Sequence, residues 1–292
     1  MTKAFRVAEH IFHLSIPGET RVWEALRQYE PFEVPVDGAE PVFELEVVKG
    51  EADAPGEVVF ADKPEPGMAR IDINRSADGR GWHIRMAPVP EAPVCCDLVC
   101  SDDFRKACAY VREQVVFSIN NSLMLLFAFN TATLGTLEMH SSVVSFDGRG
   151  YMFLGKSGTG KSTHSSLWLK HIEGTELMND DNPIIRVWED GRVMVYGSPW
   201  SGKTPCYRNV QAPVGAIVRI RQAKENVIRR MSIPEAYASV YSSCSGFKAD
   251  RRMADGLHDT LEKIALGVPC YVLDCLPDEE AARICNAEVA GK

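Results

Sequence analysis

The sequence lacks a long apolar run, a cysteine framework and an excess of positive charge, and each absence removes a class of function. Its longest mid-chain apolar stretch, LMLLFAFNTATLG from Leu123, is interrupted by Asn130 and Thr131, well short of the roughly 20 residues a membrane span needs. It reads as a buried helix. The N-terminus, MTKAFRVAEHIFHL, carries a charge or a histidine every few residues and has no apolar core of a secretory signal. The 9 cysteines show no C-x-x-C spacing, so neither a structural zinc site nor a disulfide framework is indicated. Free thiols in a reducing cytoplasm are the expected state. Lysine and arginine total 32 against 40 aspartates and glutamates, a net charge of −8, which argues against nucleic acid or an anionic membrane as partner.

What is present is a 292-residue chain with 45% apolar and 25% charged residues, enough for about two domains with cores of their own. The charge is unevenly spread. Residues 1–104 hold 10 basic and 20 acidic side chains, whereas residues 105–292 hold 22 and 20. The first stretch alternates short apolar strands (41–50, 56–64, 67–86) with turn-rich segments, and Ile71, Ile73, Trp82, Ile84 and Met86 flank a Ser-Ala-Asp-Gly-Arg-Gly turn, which predicts a hairpin. With a helix near 21–29, this gives an α+β module over 1–103. Asp102 and Asp103 read as an N-terminal helix signal for the apolar-periodic segment 104–132, a linking helix that belongs to a second module over 104–292.

After Glu138 the pattern becomes strand (141–146), Asp-Gly-Arg-Gly turn, strand (150–155), glycine-rich loop and helix (161–170). Strands follow at 184–189, 192–196 and 214–220, then a Pro-started helix at 234–241 and a terminal helix with acidic residues in its first turn. The chain therefore reads as α/β (α+β), rich in strand, with a smaller β-rich module at its N-terminus.

Gly155, Lys156, Ser157, Gly158, Thr159, Gly160, Lys161 and Ser162 fit G-x-x-x-x-G-K-[ST] between a strand and a helix, followed by Thr163. Glycines let successive N–H groups converge on phosphate oxygens, and the helix N-terminus adds its partial positive charge. Lys161 reaches the β/γ-phosphates and the Ser162 hydroxyl can ligate Mg²⁺. A nucleotide site also needs an acid for the metal, and Asn179-Asp180-Asp181-Asn182 follows one helix later. Adjacent carboxylates on an extended chain point in opposite directions, so one can face the metal and the other the attacking hydroxyl.

Residues 139–166 (MHSSVVSFDGRGYMFLGKSGTGKSTHSS) with NDDN at 179–182 resemble two related families, the HPr serine kinase/phosphorylases and the phosphoenolpyruvate carboxykinases. The resemblance covers about 45 residues and implies a strand-rich P-loop nucleotide-binding core. In the kinases, the positions matching His140, Asp180 and Asp181 lie at the phosphoryl-transfer centre, one Asp helping to hold Mg²⁺ and one acting as general base. In the carboxykinases, the matching His and second Asp ligate a transition metal. The chain departs from both. Asn120-Asn121 stand near where the carboxykinases carry a lysine, the length does not accommodate their large substrate lobe, and the arginine-rich signature and HPr-gripping loop of the kinases are missing.

In their place stands the loop Gly197 to Asn209, within a stretch (185–252) that holds 12 basic and 5 acidic residues. Lys203 and Arg208 are the expected contacts to the transferred phosphate or an anionic substrate. The leading expectation is an ATP-dependent kinase acting on an alcohol group, with Mg²⁺, or Mn²⁺ in its place. Asp181 is the expected base, Asp180 and Ser162 metal ligands, and His140 orients Asp181 or binds metal. A small hydroxylated metabolite is the favoured acceptor over a protein serine. A reversible kinase/phosphorylase, a carboxykinase-like lyase and a non-catalytic nucleotide sensor are the alternatives.

Overall fold

A computed structural model describes residues 1–18, 20–36, 40–202 and 204–291; Lys203 lies outside the described residues. The chain is mixed α/β, with large sheets and few helices, and divides into two compact units, Met1–Thr131 and Ala132–Lys292. Among the described residues no helix is long and apolar enough to cross a membrane.

The first unit contains β1 (Thr2–Val7), β2 (His10–Ser15), α1 (Thr20–Ala25), a 3-10 turn (Arg27–Phe32), β3 (Glu33–Val34), β4 (Phe43–Lys49), β5 (Val58–Phe60), β6 (Arg70–Arg75), β7 (Gly81–Ala87), β8 (Cys96–Ser101), β9 (Lys106–Val111) and α2 (Val115–Thr131). The strands form one sheet in the order β3-β1-β2-β4-β9-β8-β7-β6-β5. The expected hairpin is β6–β7, with Ile71 opposite Met86 and Ile73 opposite Ile84. Helix α2 packs on β4 and β9, and Phe12, Phe43 and Phe127 meet beneath it with ring centroids 5.0 and 6.4 Å apart. Each such fully buried ring contributes roughly 1.5–3 kcal/mol of hydrophobic stabilisation.

Two expectations are corrected here. Residues 104–132 are not one helix: Ala107, Ala109 and Val111 alternate as buried positions of β9, and only from Val115 does the helical period begin. Asp103 is a turn residue rather than a helix cap, its carboxylate accepting from the Arg105 N–H at 3.1 Å and the Ser101 hydroxyl at 2.7 Å. Because β9 pairs with β8 and β4, this whole segment belongs to the first unit and not to the second. The early helix is also shorter than 21–29, since its second half tightens into the 3-10 turn that contains Pro31.

The second unit contains β10 (Thr136–Glu138), β11 (Ser141–Phe146), β12 (Arg149–Leu154), α3 (Lys161–His171), β13 (Glu176–Asp181), β14 (Ile184–Val187), β15 (Val193–Tyr196), β16 (Gln211–Gln222), β17 (Val227–Arg230), α4 (Ile233–Tyr241), α5 (Arg251–Gly267), β18 (Cys270–Cys275) and α6 (Glu279–Ala290). The sheet runs β10-β14-β15-β16-β12-β11-β13, with β18 and then β17 added beside β16. Strand β16 pairs in parallel with β12 on one edge and with β18 on the other. Leu137, Met152, Leu154, Ile217, Leu257 and Leu261 pack on one face; Phe153, Trp168, Val218, Leu273 and Cys285 pack on the other. This double burial explains the continuous apolar runs of the central strands. Helix α5 escaped the sequence reading, although its Met253, Leu257, Leu261 and Ile264 recur at helical spacing; β17 and β18 escaped it too.

Candidate active site

Strand β12 ends at Leu154 and α3 begins at Lys161, so the glycine-rich loop turns at the carboxyl end of the central strands. Gly158 (φ 79°) and Gly160 (φ 102°) adopt backbone conformations that side chains disfavour. The Thr159 N–H and hydroxyl both donate to the Lys156 carbonyl, at 3.2 and 2.8 Å, which closes the turn. Lys156 and Ser157 face solvent.

Lys161 is 8% exposed, and its ammonium donates to the Gly155 carbonyl at 3.1 Å and to His140 Nε2 at 2.8 Å. An ammonium has only donors to offer, so Nε2 accepts and Nδ1 keeps the ring proton. Nδ1 faces Asp181 Oδ1 at 3.0 Å. The result is a connected row, Lys161 to His140 to Asp181. Burial lowers the Lys161 pKa, although Asp181 and Asp180 pull it back up. Burial also pushes the Asp181 carboxyl up, but the His140 hydrogen bond and the charge of Lys161 outweigh it and hold the group below its ordinary value. Asp181 is therefore ionised at neutral pH.

Asp180 is buried, and its Oδ1 accepts from the Ser162 hydroxyl at 2.9 Å. The two carboxylates of the Asp pair thus serve different partners, as an extended chain requires. Asp181 has φ +117°, a strained conformation that costs on the order of 1–3 kcal/mol and needs support from its surroundings. The support is the 198–206 loop. Ser201 Oγ and the Gly202 N–H donate to the Asp180 carbonyl at 2.9 and 2.8 Å, and a Cβ at Gly202 would stand 2.9 Å from the Asp181 Cβ. Asn179 anchors the same loop by donating to the carbonyl of Trp200 at 3.0 Å and to Ser198 Oγ at 3.2 Å.

The structure therefore brings together His140, Gly155, Lys161, Ser162, Asp180 and Asp181. Arg208 is not among them: its guanidinium donates to the Leu177 carbonyl at 2.6 Å and to Glu176 at 2.7 Å, so a structural ion pair takes the place of the expected substrate contact. His140 has both ring nitrogens engaged, which leaves it a bridging rather than a metal-ligating geometry. Among the described residues no group of three or more His, Cys, Asp or Glu side chains forms an all-protein metal cage.

Two residues of the neighbourhood escaped the sequence reading. Glu138 is 1% exposed, and its carboxyl is pushed up to about 8 by burial and by the charge of Asp181. Arg219, on β16, lies near enough to Lys161 to help lower its pKa. Neither had a local signal, because an isolated acid or base in a strand declares its burial only in the fold. Beside the loop opens a cavity of about 460 Å³, lined by Gly160, Thr163, His164, Leu167, Ile220 and Gln222 among others. Burial drives the His164 pKa down to about 4, so this wall of the cavity is uncharged.

No family model and no characterised protein matches the sequence. Among solved structures, the chain is similar to the HPr(Ser) kinase/phosphatase from Coxiella burnetii, at 13% identity and a TM-score of 0.30, over 52% of this chain and 93% of that one. A likeness this slight carries no argument about fold or activity, and the reading that follows stands on the site's own geometry.

Proposed function

We propose that the second unit is an ATP-dependent phosphotransferase that moves the γ-phosphoryl group to an alcohol hydroxyl, built on the P-loop core that the kinases and carboxykinases share. The observation that carries this reading is the row Lys161–His140–Asp181 running from the floor of the glycine-rich loop, with the Ser162–Asp180 pair alongside. Phosphoryl transfer needs positioning and charge stabilisation more than covalent chemistry from the protein, and these groups supply both.

The Ser162 hydroxyl and Asp180 Oδ1, 2.9 Å apart at the start of α3, are hard oxygen donors of the kind Mg²⁺ or Mn²⁺ takes. When bound, the ion neutralises charge across the β- and γ-phosphates. Lys161 and the loop N–H groups hold the phosphates in line. The acceptor's hydroxyl oxygen forms a bond to the γ-phosphorus as the bridging bond to the β-phosphate breaks. ADP keeps that electron pair, and the hydroxyl proton passes to Asp181. A carboxylate held below its ordinary pKa is a weak base, which suits a loose transition state in which the proton leaves late. His140 fixes the Asp181 oxygen, and the favoured acceptor is a small hydroxylated metabolite.

Lys161→Ala tests the assignment by calorimetric titration with ATP and by turnover of labelled ATP with hydroxylated metabolites. The expected result is at least about a tenfold loss of ATP affinity, from removal of a charge-assisted contact, and a larger loss of turnover. Unchanged affinity and turnover would overturn it.

A further inference from the structure

Basic side chains of the 185–252 stretch find carboxylates: Arg208 meets Glu176 and Arg221 meets Asp274 on other strands, and Arg251 meets Asp255 one turn along α5. Arg219 is different. It is half-buried, and its guanidinium is held by oxygens that carry no charge. Nε donates to Ser239 Oγ at 2.6 Å, and Nη2 to the Ser239 carbonyl at 2.5 Å, Ser242 Oγ at 2.8 Å and Ser243 Oγ at 3.1 Å. Nη1 has no hydrogen-bond partner among the described residues. A buried cation costs free energy unless an anion offsets it, and here burial has lowered the arginine pKa with no carboxylate to raise it.

The position of Arg219 says where an offsetting anion would sit. Its backbone pairs with Leu154, the residue before the glycine-rich loop. Successive strand residues face opposite sides of a sheet. Ile220 and Gln222 line the cavity on the α3 face, so Arg219 points to the other face, where α4 and its serines lie. The Ser243 carbonyl accepts from the His140 N–H at 2.7 Å, which ties Arg219's anchor directly to the Lys161–His140–Asp181 row. A nucleotide whose base fills the cavity presents its γ-phosphate towards that row, and an in-line acceptor approaches from beyond it.

Resting on the phosphotransferase reading, we propose that Arg219 binds an oxyanion of the acceptor, so that the substrate class is a hydroxylated compound bearing a carboxylate or a phosphate. The serine anchors hold the guanidinium before the ligand arrives, leaving Nη1 for the incoming oxygen. A carboxylate and a phosphate share this chemistry, and binding separates them.

The test uses the full chain saturated with a non-hydrolysable ATP analogue and Mg²⁺, so that the γ-position is filled, and titrates malonate and methyl phosphate by calorimetry. At least one probe is expected to bind, and Arg219→Gln is expected to weaken it by about tenfold or more, as loss of a charge-assisted hydrogen bond does, with nucleotide affinity kept within about threefold. Ser242→Ala, which removes one anchor and retains the charge, is expected to weaken the same probe by about threefold and guards against a folding defect in the first variant. The inference fails if neither probe binds, or if both variants bind as the parent does. It also fails if Arg219→Gln loses nucleotide affinity instead, which makes the residue a γ-phosphate contact. Failure of the unmodified chain to bind nucleotide at all would instead sink the phosphotransferase reading.

Discussion

Each unit holds an aspartate against a histidine, and the two pairs have nearly the same length: His83 Nε2 to Asp97 Oδ1 is 2.8 Å and His140 Nδ1 to Asp181 Oδ1 is 3.0 Å. Their surroundings set them apart. In the first unit the side chains are 4% and 3% exposed, Arg112 stands 2.5 Å from the other carboxylate oxygen, and Arg85 lies 3.7 Å from the oxygen that His83 holds. Its donors come from β7 and from Arg112 just after β9, so the cluster joins the chain on either side of β8. In the second unit the pair is 39% and 35% exposed, the aspartate is strained, and the cation at the end of the row is a lysine beneath a glycine-rich loop. The same two residue types are a staple where strands and cations enclose the carboxylate, and a candidate reaction centre where one side stays open.

The comparison breaks most visibly if the staple is cut. Asp97→Ala leaves the buried His83 and the part-buried Arg112 without their anion, and a loss of about 3 kcal/mol is expected, read as a lowered urea midpoint with ATP affinity unchanged. The acid limb of the stability curve should respond too. Burial pushes the Asp97 carboxyl up, but the His83 hydrogen bond and the charges of Arg112 and Arg85 pull it below its ordinary value. A carboxyl lower in the folded than in the unfolded state stabilises above its unfolded pKa, and that stabilisation disappears as the pH falls through the folded one. The parent should therefore lose stability below about pH 4 more steeply than Asp97→Ala, and parallel acid limbs would show that Asp97 does not carry this effect.

Asp181→Asn asks the opposite of the open pair. Turnover should fall by about 10²-fold or more, the scale for a positioned general base, with ATP affinity within about threefold and with less loss of stability than Asp97→Ala. Near-parental turnover would reduce the second pair to a staple like the first. Gly202→Ala is the finer probe, because its Cβ would press on Asp181, with the Asp181 Cβ only 2.9 Å away. Displacement of a reacting group should lower kcat by about tenfold while leaving the nucleotide Kd alone, and an equal change in both would point to general loosening of the loop.

The legible part of the molecule was the part whose chemistry is local in sequence. The glycine-rich loop, its flanking strand and helix, and the β6–β7 hairpin each announce themselves through neighbouring residues, and the structure forms each near its expected place. The segment after Asp103 did not, because β9 presents small alanines on its buried face and runs within three residues into an apolar helix; the strand's alternation dissolves into the helix's longer period. Arg208 stands apart for a different reason. Its partner Glu176 lies 32 positions away, and no count of local charge reveals that a basic stretch is neutralised from another strand. Arg219 and Glu138 show the converse, since a single charged residue in a strand acquires its meaning only from what buries it.

Strand β16 spans 12 residues and serves β15 along its first part, β12 from Val214 to Arg219 and β18 from Ile217 to Gln222. Between Ile217 and Arg219 its backbone is hydrogen-bonded on both edges at once. Opening that segment means parting two parallel ladders together, so it belongs to the last region of the unit to exchange its amide protons. The guanidinium of Arg219 and the Ile220 wall of the cavity are therefore mounted back to back on the least yielding stretch of backbone, and a ligand on one face meets a scaffold that a ligand on the other does not disturb.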